Sequence, residues 1–216
     1  MEELRYYEIN GETFPLVITD SEAVLLRAKA EGRAAIGILR DASFLPVAYA
    51  AESLEAVDDA FAKEVLHRHL GLPCLITESE RLQIREFWAK DWEEMEFLEQ
   101  DVFAERELFE SYIKTQYPFW GYGLWAVLHK ESQKLIGRVG IWDGVDGVDS
   151  TSLELGYHIF TPYRRCGYGE EACRAVLDWC SKQESTKGRA FYVRVKQSNL
   201  ASLALAKKVN IKIVTA

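Results

Sequence analysis

Residues 153–179 read LELGYHIFTPYRRCGYGEEACRAVLDW, and the order of residue types in this stretch decides the fold. Leu153 to Phe160 reads as a strand in which Glu154 alternates with Leu153 and Leu155 and so faces away from them. A short loop with Pro162 leads into Arg164-Arg165-Cys166-Gly167-Tyr168-Gly169, and a helix follows at once, to about Ser181. Glycines let backbone amides approach an anion closely. A helix N-terminus adds unpaired N–H groups and the positive end of its dipole, and Arg164 and Arg165 add two permanent charges. The combination is a cradle for a pyrophosphate. It is neither a Walker loop, which needs Gly-Lys-Ser/Thr, nor a dinucleotide fingerprint with three spaced glycines. The competing reading is a glycine-rich helix start that serves structure alone.

Working outward, Ala190–Lys196 reads as a strand, Leu200–Val209 as a helix and Ile211–Val214 as a short strand. Upstream lie strands at Leu124–His129 and Leu135–Trp142, two acidic helical segments from Asp91 to about Thr115, and a strand at Arg81–Phe87. The helix stop and proline of Gly71-Leu72-Pro73 mark a join. Residues 1–73 have a different rhythm: strands at Phe14–Thr19, Ala34–Leu39 and Val47–Ala51, a helix from Asp20 or Ser21 to about Gly32, and an amphipathic helix from Glu52 to Leu70. This strand–helix–strand–strand–helix order predicts a small Rossmann-like α/β domain with right-handed crossovers. Residues 77–216 form the second domain.

The 216 residues include 26 basic and 34 acidic ones, a net charge of -8, which argues against a nucleic-acid partner whose affinity rests on neutralising phosphates. Nine acids and a single base, Arg106, fall between residues 91 and 110; elsewhere the signs balance. Such a stretch is either a solvated helix face or a field that steers a cationic partner. No run approaches the ~20 apolar residues of a membrane span, and the start MEELRYYEIN has no secretory pattern; no membrane contact and a cytoplasmic location are expected. Cys166, Cys173 and Cys180 are spaced by seven, roughly 10 Å apart on one helical face, and read with Cys74 as small buried hydrophobes. His67 and His69 point to different sides of a helix. Asp143, Asp146 and Asp149 lack the EF-hand spacing and read as a hairpin turn. No metal is expected.

At this point the chain resembles the GNAT superfamily of N-acetyltransferases, and most of all the branch that includes the ribosomal-protein N-terminal alanine acetyltransferases. The family's acetyl-CoA signature, Gln/Arg-x-x-Gly-x-Gly/Ala, is matched by Arg164, Gly167 and Gly169. The segments Glu78–Glu86, Leu135–Gly140 and Leu153–Tyr157 resemble its opening, third and fourth strands, and Asn199-Leu200-Ala201-Ser202 resembles its Asn-x-x-Ser element. The resemblance covers residues 77–214 and implies an α/β (α+β) fold with a splayed mixed sheet and acetyl-CoA as cosubstrate. It implies that strands Leu153–Phe160 and Ala190–Lys196 part, with the pantetheine arm between them and bonded to the strand of Tyr157 and Ile159. The amides of Arg165, Cys166, Gly167, Tyr168, Gly169 and Glu170 would hold the pyrophosphate, Asn199 the pantetheine, and Ser202 would lie near the thiol or the phosphates.

The implied reaction is attack of a primary amine on a thioester. Glu154 is the candidate base, against a reading as a surface carboxylate. Many relatives carry a tyrosine seven residues after the asparagine as the acid; here that position is Ala206, which leaves Ser202, with Tyr157, Tyr163 and Tyr168 nearby in sequence, or no acid at all. The family usually continues into a sixth and seventh strand, so the outer edge of strand Ala190–Lys196 is expected to be poorly covered; either a partner chain completes the sheet, as in a homodimer, or activity is impaired. The acceptor is a small-molecule amine or a peptide N-terminus: a protein N-terminus, a polyamine, an amino sugar or an antibiotic. The alternative from another class is a non-catalytic CoA-binding or interaction module. Finally, Val17–Ser21, Ala34–Ile38 and Tyr49–Leu54 weakly resemble the closing strands of haloacid-dehalogenase-like hydrolases, where the Asp at the position of Asp20 helps hold magnesium. That family's nucleophile strand, Asp-x-Asp-x-Thr/Val, does not occur here.

Overall fold

The computed structural model describes residues 1–40, 45–96, 103, 105–144 and 151–215, and its contacts divide the chain into two compact units, Met1–Cys74 and Leu75–Ala216. In the first unit, β1 (Glu2–Ile9) and β2 (Glu12–Thr19) form an antiparallel hairpin. Asn10 and Gly11, with φ of 53° and 83°, make its two-residue turn; Asn-Gly suits this because both positions need positive φ. Helix α1 (Glu22–Ala30) crosses over to β3 (Ala34–Ile38), parallel to β2, and β4 (Ala50–Ala51) lies parallel to β3. The sheet order is β1-β2-β3-β4.

Helix α2 (Asp59–His69) covers a core built on Leu16, Ile18, Ile36, Ala62, Val65 and Leu66. Two expectations are corrected here. The strand expected over 47–51 has only two paired residues, and the helix expected from Glu52 begins seven residues later. There the Asp58 carboxylate accepts the Phe61 N–H at 2.8 Å and caps it. Strand β1 was not anticipated at all. The Asp20 carboxylate pairs with Arg40.

The second unit is a seven-stranded sheet in the order β11-β10-β9-β8-β7-β6-β5. Its strands are β5 (Leu75–Glu78), β6 (Leu82–Arg85), β7 (Leu124–His129), β8 (Leu135–Asp143), β9 (Leu153–Ile159), β10 (Phe191–Val195) and β11 (Lys212–Thr215). Successive strands from β5 to β9 are antiparallel; β9–β10 and β10–β11 are parallel. Its helices are α3 (Asp91–Glu96), α4 (Arg106–Trp120), α5 (Tyr168–Lys182) and α6 (Leu200–Lys208).

Alternation along β7 shows how the sheet is covered. Trp125 and Val127 join Cys173, Val176 and Cys180 of α5 in one core, while Leu124, Ala126 and Leu128 join Phe87, Trp92 and Phe109 in another. Cys173 and Cys180 thus share the buried face of α5, and burial pushes the Cys180 thiol up to about 12. Cys166 departs from the expected buried trio: it precedes the helix and is exposed. The edge of β10 is also better covered than expected, since β11 pairs with it from Tyr192↔Lys212 to Val195↔Thr215. Helix α4 runs past Thr115 and stops at Gly121, whose φ of 71° forms a left-handed cap. Phe97, Glu99, Asp101, Asp146 and Asp149 lie outside the described residues.

One ion pair fixes the start of α3. Both Arg85 Nη atoms donate to Asp91 at 2.7 Å, the Trp88 N–H donates to the same carboxylate at 2.7 Å, and Asp91 is 5% exposed. Removing one partner of a buried pair strands the other charge. Asp91→Ala is therefore expected to cost about 3 kcal/mol of stability, read as a lower denaturant midpoint, with Asp91→Asn losing less because its amide oxygen still accepts the Trp88 N–H. Among the described residues no helix is long and apolar enough to cross a membrane, and no group of three His, Cys, Asp or Glu side chains converges as metal ligands.

Candidate active site

The site begins where two parallel strands separate. Strands β9 and β10 pair only at Phe191↔Leu153 and Tyr192↔Glu154, after which β9 continues to Ile159 and β10 to Val195 without further pairing. A cavity opens on each side of this gap. One, of about 630 Å³, is lined by Tyr157 and Ile159 of β9, the 164–170 loop except Cys166, and α6 from Ala201 to Lys208. The other, of about 730 Å³, is lined by Tyr112 and Gln116 of α4, Trp142 of β8, Glu154 and Gly156 of β9, Arg194 of β10 and Lys196 just after it. The two share Tyr157, His158, Asn199 and Ser202.

The α5-side cavity is shaped to take a phosphate. Arg165 and Gly167 hold φ of 67° and 84° on either side of Cys166, and left-handed residues in such a turn direct successive N–H groups to one side. The first intrahelical bond of α5 is Glu171 N–H to the Gly167 carbonyl, 3.1 Å, so the amides of Tyr168, Gly169 and Glu170 are the orphan donors of the first turn. A Cβ on Gly169 would sit 3.1 Å from Leu205, which is how closely α5 and α6 approach. Arg164 donates Nε to the Ile159 carbonyl at 2.8 Å, and its Nη2 lies 3.3 Å from His158 Nε2. Lys208 stands at the same end, 3.5 Å from Glu170. The Cys166 side chain does not line the cavity; its thiol turns to the Arg164 carbonyl.

What holds this loop in place had no local signal in the sequence. Arg81, just before β6, donates Nε to Glu171 at 2.7 Å and Nη1 to the Cys166 carbonyl at 3.0 Å, and lies 4.5 Å over the Tyr168 ring. Glu171 also accepts the Arg81 N–H and the Ser79 hydroxyl, both at 2.8 Å. Burial alone would raise the Glu171 carboxyl; these donors outweigh it and keep the group below its usual value. Arg81→Met is expected to raise the KM for acetyl-CoA about tenfold, the scale of a lost charged hydrogen bond, with little change in kcat at saturation. Steady-state kinetics read that split, and a fall in kcat with unchanged KM would contradict a positioning role.

The α4-side cavity holds the candidate base. Glu154 Oε2 accepts the Tyr192 hydroxyl at 3.1 Å and lies 3.6 Å from Arg194 Nε, and the side chain is 12% exposed. Both contacts fall on Oε2, and neither engages Oε1. Trp142 lies over Gly156, where an added Cβ would meet the indole at 2.1 Å; only glycine lets the ring form this wall. Tyr192, Arg194 and Lys196 escaped the sequence reading, although their alternation with Val193 and Val195 marks one face of a strand.

Asn199 caps α6, its Oδ1 accepting the Ser202 N–H at 3.1 Å, and the residue lines both cavities. The Tyr157 hydroxyl donates to the Ser202 carbonyl at 2.9 Å and bridges β9 to α6. Burial pushes this phenol up to about 12. A phenol that weak is a poor proton donor to a thiolate whose acid titrates near ~8.5, so Tyr157 is better placed to hold the gap than to supply a proton. Ala206, in the position where relatives carry a tyrosine, is fully buried in the core.

A parted pair of parallel strands, with an anion cradle on one side and a carboxylate-bearing cavity on the other, is the architecture of an acyl-CoA-dependent transferase. The GNAT acetyltransferase domain family matches residues 74–212, and the chain belongs to that family: its second unit is an N-acetyltransferase domain of the acyltransferase class, EC 2.3.1. Solved structures of similar fold include a GNAT-family acetyltransferase from Bordetella pertussis (17% identity, TM-score 0.51, covering 62% of this chain and 87% of that one). Another is an acetyltransferase from Agrobacterium tumefaciens C58 (21%, 0.50, 63% and 83%). A third is RimL, a ribosomal L7/L12 alpha-N-protein acetyltransferase in its apo form (13%, 0.51, 63% and 80%). At these identities the likeness is one of fold.

Proposed function

We propose that this protein transfers the acetyl group of acetyl-CoA to a primary amine, with the two substrates entering from opposite sides of the β9–β10 gap. The observation that carries this reading is the meeting of the two cavities at Tyr157, His158, Asn199 and Ser202, where the strands have parted. The cradle fits the cosubstrate: Gly167, at φ 84°, stands where a Cβ would come within 3.3 Å of Arg81 Nη2. The amides of 165–170, with Arg164, Arg165 and Lys208, would hold the phosphates, and Asn199 the pantetheine. Acetyl-CoA supplies a thioester carbonyl with a good leaving group.

The protein's own residues do the rest. Glu154 Oε1 takes a proton from the incoming ammonium, directly or through one water. The Tyr192 hydroxyl fixes the carboxylate's orientation, and the Trp142 indole keeps one wall apolar. No proton donor to the thiolate is required, because a thiolate leaves readily near neutral pH. Residues 1–74 we read as an accessory α/β domain. The test is incubation with acetyl-CoA and a panel of amines, following thiol release. Turnover on at least one amine is expected, and CoA binding with no turnover on any amine would instead favour a non-catalytic CoA-binding module.

A further inference from the structure

The acceptor can be narrowed from the walls of the α4-side cavity, an inference that rests on the acetyl-transfer reading above. The acidic stretch 91–110 suggests a cationic acceptor, but none of its described carboxylates lines the cavity, and three of them are engaged elsewhere. Asp91 ties Arg85, Glu94 accepts the Leu135 N–H at 3.2 Å, and Glu110 pairs with Arg106 at 2.9 Å. Among the described residues, the cavity lining holds one carboxylate, Glu154, beside the basic side chains of Arg194 and Lys196; Arg138, 3% exposed, is engaged with partners of its own and is not counted with them.

The arrangement has a direction. Strand register sets Trp142 opposite Glu154 and Arg138 opposite His158 on β8 and β9, while Tyr192 pairs with Glu154 and Arg194 and Lys196 follow it, beyond the paired part of β10. The carboxylate lies at one end of this floor and the cations extend from its middle to the other end. At the junction, Glu154 Oε2 and Arg194 Nε are 3.6 Å apart, a separation that matches, with signs reversed, an ammonium and a carboxylate a few bonds apart. A ligand with both charges satisfies both groups at once by charge-assisted bonds. A polyamine would bring a second positive charge against Arg194 and Lys196, and like charges across an interface are costly.

We propose that the acceptor is a zwitterionic amine of the free amino-acid type, its ammonium toward Glu154 and its carboxylate held by Arg194 and Lys196. In the acetyl step Glu154 takes one proton from the ammonium, the freed amine nitrogen bonds to the thioester carbon, the C–S bond breaks with its electron pair going to the CoA sulfur, and the second proton lost from nitrogen goes to that sulfur or to solvent; the products are an N-acetyl amino acid and CoA. The Trp142 wall receives the side chain.

The experiment compares each of a set of free amino acids with its own primary amide and with a diamine of similar length, on the full chain. Thiol release from acetyl-CoA is one readout and calorimetric binding of the amine is the other. The free acid is expected to exceed its amide in kcat/KM by about tenfold or more, as a lost charge-assisted bond would give, and to exceed the diamine by a wider margin. Lys196→Gln is expected to narrow the acid-to-amide ratio several-fold, through KM. Equal or reversed ranking with brisk turnover overturns the zwitterion while leaving acetyl transfer standing, and short peptides outrunning free amino acids would do the same in favour of a polypeptide N-terminus. If no amine turns over, calorimetry decides: tighter binding of the free acid than its amide supports the cavity's preference and unseats the transfer reading, and no such difference overturns the proposal.

Discussion

Glu154→Gln is expected to lower kcat on the order of a hundredfold, the usual contribution of a positioned general base, while acetyl-CoA binds as before. The substitution is mild in every other respect. The glutamine amide oxygen can still accept the Tyr192 hydroxyl, now 3.1 Å from Glu154 Oε2, so the strand pair need not shift. Arg194, about a third exposed, loses a partner that water can replace. What is removed is the proton acceptor on the α4 side of the gap. Loss confined to kcat would place Glu154 in the chemistry; a normal kcat with weakened binding of either substrate would make it a structural residue.

The second large effect is expected at the cradle. Gly167→Glu puts a side chain on a residue at φ 84°, which costs an L-residue roughly 1–2 kcal/mol. Its Cβ would crowd Arg81 Nη2 at 3.3 Å, displacing the guanidinium that ties the Cys166 carbonyl to Glu171. It also brings a carboxylate to the place where phosphates approach the backbone. Acetyl-CoA affinity is expected to fall more than about a hundredfold, two steps of ~1.4 kcal/mol each. Gly167→Ala carries the strain without the charge and is expected to lose less, so the pair separates the two causes. Unchanged affinity by calorimetry, with the variant folded, would move the cosubstrate out of this loop.

Much of the second unit was legible because its signals are local. The alternation in Leu153–Phe160, the Arg-x-x-Gly-x-Gly step into a helix and the asparagine before α6 are each contained in a few consecutive residues, and the strands and helices lie where those signals put them. Strand β1 was missed even though Asn10-Gly11 is a strong turn signal; its exposed face carries Leu4 and Tyr6 and its inward face Glu3 and Arg5, so apolar and charged residues do not alternate along it. Strand β5 is four residues long with an irregularity between Leu75 and Thr77, too short to leave a period.

The site residues that were missed share a different property. Arg81 meets Glu171 across 90 positions, and Tyr192 reaches Glu154 across 38; neither partner is visible from its neighbours in the chain. In the acidic stretch the charge density was plain, but the partners of Asp91 and Glu94 were not: Arg85 and the Leu135 N–H reach them only in the folded sheet.

The central claim is that a cosubstrate seated on the α5 side delivers its reactive end through the β9–β10 gap to the cavity of Glu154. A crystal structure of the protein with bound CoA tests it most directly. The account predicts the pyrophosphate on the amides of 165–170 and the thiol sulfur in the gap beside Tyr157 and Ser202, open to the Glu154 cavity. A CoA bound elsewhere, or one whose sulfur stays on the α5 side with the Tyr157–Ser202 bridge closed between it and Glu154, would contradict it.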